Sequence, residues 1–224
     1  MSQFIAPTAT GHSIDDVWAA AVWADQVNQG YVKTAEHRWN PELEQSELVR
    51  DTNRVIMFAA LADPTSIADD LRAAGRKLRE QLAQDLTLRT LKGTTNDFDR
   101  SVSQVLAVTD CFVLSQHRYE LAVLPCLPNV ARRSQHRADR DAVLRQCNKL
   151  TAVPGTKVTL KVRVLSTFYS QNYHVYFVTA VTQDQQAVMF SYKNNIDADT
   201  VLEIRGTVRE HCAQHTRLNR VKVI

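Results

Sequence analysis

Residues 157–164 read Lys157-Val158-Thr159-Leu160-Lys161-Val162-Arg163-Val164. Val158, Leu160, Val162 and Val164 fall on one parity, and Lys157, Thr159, Lys161 and Arg163 on the other. That period of two is the mark of a strand with one face on a core and one in water. Further runs follow at 173–182, 187–193, 200–211 and 216–224. The tight turn Gln183-Asp184-Gln185-Gln186 joins the second to the third. In the fourth, Leu202, Ile204 and Val208 point inward with Gly206 among them, and a glycine inside a strand marks a bend or bulge. The apolar parity of the fifth slips between Leu218 and Val221, which predicts a bulge near Asn219 or Arg220.

Working back from Pro154-Gly155, the period is helical. Ser13 followed by Ile14-Asp15-Asp16 reads as an N-cap with acidic first-turn residues, and Val17, Trp18, Ala21, Val22 and Ala24 share a stripe that stops at Gly30. A second helix is expected over 41–61, opened by Pro41 and anchored by Leu48, Ile56 and Phe58. Thr65 or Ser66 caps a third, ending at Leu91 before Gly93. Asn96 or Asp97 caps a fourth with Val102, Val105, Leu106 and Val108. A weaker helix is read across 111–119, with Pro125 and Pro128 interrupting the chain after it. Trp18, Trp23 and Trp39 are expected to pack the helical core. Residues 131–149, ARRSQHRADRDAVLRQCNK, hold six Lys/Arg against two Asp; the stretch reads as a solvated helix face, a linker or a strand-contacting arm.

The fold class expected is therefore α+β: a helical N-terminal domain over 1–150, a linker over 151–156, and a five-stranded antiparallel barrel over 157–224. No apolar run approaches the roughly 18 residues of a membrane span. The first residues, MSQFIAPTATGHSIDD, lack the basic flank and apolar core of a signal peptide. The four cysteines, Cys111, Cys126, Cys147 and Cys212, form no CxxC pair and read as reduced thiols of a cytoplasmic protein. Net charge is +3 but uneven. Residues 157–224 carry nine Lys/Arg against five Asp/Glu, and residues 1–156 eighteen against nineteen. The positive excess sits on the barrel, a mild hint of a polyanionic partner.

The barrel resembles an oligonucleotide-binding (OB) fold. The residues that carry the resemblance are Val158-Thr159-Leu160-Lys161-Val162, Val178-Thr179-Ala180, Ile204-Arg205-Gly206-Thr207-Val208-Arg209 and Leu218-Asn219-Arg220-Val221-Lys222-Val223. The run from Ile204 to Val223 is similar to the end of OB domains in phage-encoded, replication-type single-stranded DNA-binding proteins, which would place the chain in the host cytoplasm. It covers only the last third of the sequence. The resemblance implies a ligand surface on the outer face of strands two and three, with the loops joining strands one to two and four to five.

Single strands are held by aromatic faces for bases and cations for phosphates. With Val175 and Phe177 inward, His174 and Tyr176 face out; strand three then buries Phe190 and exposes Met189 and Ser191. The expected nucleic-acid contacts are Tyr169, Tyr173 and Tyr176 for stacking, and Lys161, Arg163, Lys193, Arg205, Arg217 and Arg220 for phosphates. Met189 stands where an aromatic would make a better platform. Each aromatic also has a structural alternative, because seven Phe/Tyr in a small barrel partly fill its core.

The motifs of a phosphate loop, a serine-hydrolase elbow and a zinc protease are missing from the sequence. His211 and His215 stand four apart at a turn with no further ligand cluster, and Asp97 and Asp99 suit a helix N-terminus better than a catalytic pair. No enzyme activity, cofactor or metal is expected. Two functions remain: a protein of replication or recombination that binds single-stranded nucleic acid, with the helical part for self-association or a protein partner; or a protein–protein adaptor that uses the barrel as scaffold.

Overall fold

The computed structural model describes residues 11–224; the first ten, read above for signal-peptide features, lie outside them. The chain divides into two compact units, Met1–Ser134 and Gln135–Ile224.

In the first unit, α1 (Ile14–Asn28) begins where the Ser13 Oγ accepts the Asp16 N–H. It ends with Gln29 in the left-handed region and the Gly30 N–H donating to the Asp25 carbonyl. Its middle is small: Ala19, Ala20, Ala21 and Ala24 are buried. That lets α3 (Asp69–Leu91) press close at Gly75, where an added Cβ would stand 2.8 Å from the Ala19 nitrogen. α2 (Asn53–Ala62) and α4 (Asp97–Ala107) complete the packing, α4 under a capping box of Asn96 and Asp99. Trp18, Met57, Leu61, Leu82, Phe112, Leu121 and Leu127 fill the core.

Several local expectations change here. The helix read over 41–61 is instead a hairpin, β2 (Glu36–Asn40) and β3 (Gln45–Arg50), followed by the shorter α2. Pro41 and Leu43 sit in its turn, where the nitrogens of Glu42 and Leu43 are satisfied by the Asn40 side chain. Trp23 and Trp39 are exposed, so of the three tryptophans only Trp18 packs the core. At 111–119 a two-residue strand, β4 (Cys111–Phe112), pairs with β1 (His12–Ser13), and the helix begins later as α5 (Arg118–Val123). Pro125 and Pro128 do not break the chain. Pro125 lies in a 3-10 turn, and Pro128 is the second residue of α6 (Leu127–Gln146), first-turn positions that need no backbone donor.

A buried polar node ties this unit's loops together. The Asn53 Oδ1 accepts from Asn28 Nδ2 and from the Val32 N–H, both at 2.8 Å, and its Nδ2 donates to the Gly30 carbonyl. Arg50, at the foot of the hairpin, donates to the Asn28 carbonyl.

The second unit is a closed five-stranded barrel of β5 (Lys157–Ser170), β6 (Val175–Thr182), β7 (Ala187–Tyr192), β8 (Val201–His211) and β9 (Thr216–Val223), in the order β5-β6-β7-β9-β8. The barrel is mixed, and not the wholly antiparallel one expected. β7 and β9 run parallel through three pairs, Val188 with Thr216, Met189 with Arg217 and Phe190 with Leu218. The expected bulge is present: Arg220, in the left-handed region, and Val221 stand opposite Gly206. Gly206 leaves room there, because a Cβ would crowd a Val221 methyl at 3.0 Å.

Val162, Val164, Val178, Ala180, Val188, Phe190, Ile204, Val208 and Leu218 form the core, joined by Leu150. The segment 148–156, part of which the sequence suggested as a linker, is bonded to the barrel. Asn148 bridges Gln186, the Leu150 N–H donates to Thr216 Oγ1, and the Gly155 N–H donates to the Val208 carbonyl. No helix among the described residues is long and apolar enough to cross a membrane.

Candidate nucleic-acid interface

Residues paired across a ladder share a face of the sheet. Val178 and Ala180 are buried in the barrel, so Tyr176 lies on their parity and Val175, Phe177 and Thr179 lie on the outer one. This reverses the parity expected for the second strand. Phe177 faces outward beside Phe168 of β5, while Tyr176 points to the inner side at the barrel's end, between Tyr169 and Tyr192 in register. Val178 and Ala180, buried in the core, set the phase of β6. On β5 an extra residue, Leu165, bulges between Val164 and Ser166, and this moves Phe168 to the outer face beside Phe177.

The outer face of β6, β7 and β9 carries a cleft of about 480 Å³ lined by Tyr173, Val175, Phe177, Met189, Ser191, Arg209, Arg217 and Asn219. Its floor is the barrel itself: Phe190 and Leu218, only 1% and 2% exposed, reach it from the core. The cleft exists because the β7–β9 pairing stops at Phe190 and Leu218 and the bulge at Arg220 turns β9 away. Tyr173, from the β5–β6 turn, stands 72% exposed at the rim. Its ring meets Phe177 edge to face at 6.2 Å.

A second cleft of about 450 Å³ continues from the first through the shared residues Val175 and Ser191, and adds Tyr192, Lys193, Val221 and Lys222. Lys222 in turn borders a third, with Lys157, Arg205 and Arg220.

The nine residues expected to bind nucleic acid therefore separate into groups. Tyr173 and Arg217 share the main cleft, Lys193 lines its continuation, and Arg205 and Arg220 meet beyond it. Tyr169 and Tyr176 form a pair of their own, ring centroids 4.9 Å apart, with the Tyr169 hydroxyl near His174 Nδ1. Lys161 faces outward opposite Glu203 on the β5–β8 side of the barrel. Arg163 is ion-paired with Asp199 at 2.9 Å. Phe177, Phe168 and Val175 are outer-face residues that the sequence assigned inward or left aside.

Charge is uneven along the clefts. Glu210 holds Arg217 at 2.7 Å and lies 3.8 Å from Arg209, so two cations share one carboxylate at that end. Lys193, Arg205, Arg220 and Lys222 have no ion-pair partner among the described residues. Near the β8–β9 turn, burial pushes the His215 pKa below its ordinary value, and Arg217 adds to that against Glu210. The described residues contain no group of three or more His, Cys, Asp or Glu placed to hold a metal.

Comparison of the chain with protein-family models, with characterised proteins and with solved structures finds no match.

Proposed function

We propose that the barrel is an OB-type module that binds single-stranded nucleic acid, DNA in the first instance, in replication or recombination. The observation that carries this reading is the Tyr173–Phe177 aromatic pair set in a cleft whose two ends are cationic, Arg209 and Arg217 at one and Lys193 and Lys222 at the other. Aromatic faces accept bases of any identity, and flanking cations neutralise the phosphates between them. The site's position supports the same reading, on the second and third strands of the barrel, between the turn after the first strand and the turn before the last.

The run of clefts is open along the surface, which suits a continuous strand better than a small enclosed ligand. A duplex offers only base edges in its grooves, not the ring faces that Tyr173 and Phe177 would take.

The test is a fluorescence anisotropy titration of the full chain with labelled single-stranded and double-stranded oligonucleotides at two salt concentrations. The reading expects preference for the single strand and an affinity that falls as salt rises. No binding at low salt, or equal binding of both forms, would count against it.

A further inference from the structure

The hairpin of β2 and β3 is covered by none of the described residues. Residues 36–39 and 41–49 are exposed on both faces of the ribbon, Trp39 to 63% and Leu48 to 54%. Among the described residues neither strand has a second neighbour. A two-stranded ribbon without a packed face is marginal in water, and three or more strands are needed for stability of its own. Its free edges are also templates for pairing. The ribbon holds four Glu against two Arg over residues 36–50, which disfavours the polyanion proposed for the barrel.

We infer that β2 pairs edge to edge with β2 of a second copy of this chain, making a four-stranded sheet in the order β3-β2-β2-β3. Charge complementarity under twofold symmetry selects this pairing. A twofold axis perpendicular to the sheet keeps each side chain on its own face, so only positions of the same parity can stand opposite one another.

Centred on His37, the pairing sets Glu36 opposite Arg38 of the second copy and Arg38 opposite its Glu36. Two cross-strand ion pairs form at once. Every neighbouring register is worse. Centring on Arg38 puts the two arginines face to face. On the β3 edge, centring on Leu48 sets Glu47 against Val49 and Ser46 against Arg50, and centring on Val49 sets Glu47 against Asp51.

Within the ribbon, Leu48 stands opposite His37 and Ser46 opposite Trp39. His37, Trp39 and Leu48 therefore share the face away from Glu36 and Arg38. In the four-stranded sheet, these residues from two copies form one apolar strip.

The test uses the full chain in sedimentation velocity, with circular dichroism to confirm folding. Wild type should be a dimer. Glu36→Arg places Arg opposite Arg at both sites, and Arg38→Glu places Glu opposite Glu. Each variant alone should dimerise at least about tenfold more weakly, the effect of turning two attractive cross-strand pairs repulsive. Mixed one to one, the two variants should recover a dimer of near wild-type affinity. The introduced arginine of one copy then faces the introduced glutamate of the other, and the unchanged Arg38 of the first faces the unchanged Glu36 of the second. A monomeric wild type would leave the ribbon to a different protein and overturn the inference. So would single variants that dimerise like wild type, or a mixture that does not recover.

Discussion

Tyr173 meets Phe177 edge to face, with ring centroids 6.2 Å apart and planes at 88°. One ring comes from a turn and the other from the outer face of a strand in the barrel wall. That makes a platform with one firm member and one adjustable member.

Phe177 is held on β6, so it should carry more of any stacking term than Tyr169, whose ring already lies against Tyr176. Phe177→Ala should cost about 1–3 kcal/mol in single-strand affinity with the salt slope nearly fixed. Tyr169→Ala should cost less. Anisotropy titrations of both variants at several salt concentrations check the order, and an equal loss would move the stacking site toward the barrel's end.

Lys222 joins two of the clefts and has no acidic partner among the described residues. Lys222→Ala should lower the magnitude of the salt slope by about 0.7. Glu210 does the opposite work at the other end, holding Arg217 and Arg209. Glu210→Gln should tighten binding by about 0.5–1 kcal/mol, because it frees Arg217 and removes a like charge from the path of the phosphates. Weaker binding by Glu210→Gln would mean that the ion pair positions Arg217 for its contact.

Ile204 is fully buried in the barrel and Arg205 is exposed. Ile204→Ala should cost about 2–5 kcal/mol in denaturant unfolding, and Arg205→Ala little. Similar losses at the two positions would contradict the register of β8.

Asn53 is inaccessible to solvent, and its side chain answers three separate groups. Asn53→Ala removes all three bonds and leaves the Val32 N–H without its side-chain acceptor. The cost should be about 3 kcal/mol or more. The loop at Gly30 and the foot of the hairpin should lose hydrogen-exchange protection first.

His215 titrates lower in the folded chain than in the unfolded one, so folding favours its neutral form. As pH falls through roughly 6.5, the unfolded chain takes the proton first. The stabilisation present above that pH is then lost, and the loss ends once pH lies below the folded value. His215→Asn should flatten the stability profile of the barrel over that window. An unchanged profile would place the titrating group elsewhere.

The barrel was legible where its strands have two unlike faces. Lys157 to Val164 alternates without exception, and the structure keeps that parity. The parity slip after Leu218 correctly marked the bulge at Arg220. Residues 175–181 gave no such guide, because Val175-Tyr176-Phe177-Val178 is apolar on both parities. Their phase is decided instead by the packing of Val178 and Ala180 in the core, which the local pattern does not reveal. That misplaced Phe177, and with it the centre of the cleft.

The parallel β7–β9 pair was likewise invisible, since alternation says which face a residue takes and nothing about which strand lies beside it. The hairpin at 36–50 was missed because Pro41 reads equally well as a first helical position and Leu48 as an apolar anchor, although Pro41 sits in a turn, Leu48 belongs to a ribbon, and only Ile56 and Phe58 lie in α2. The helical stripe of α1 and the caps at Ser13 and Asn96 were readable because each is written in adjacent residues.

β9 is the last strand of the barrel in chain order, and it is the one that joins β7 to β8. On the ribosome, four strands can emerge and still have no closed core, because the seam through residues 216–218 does not yet exist. Until residue 223 clears the exit tunnel, Phe190 and Val208 have no Leu218 to cover them. The first unit, whose residues all precede the barrel in the chain, can settle while the barrel is still open. The interval before β9 arrives is thus the time at which the nascent chain is most exposed to chaperones and to neighbouring nascent chains.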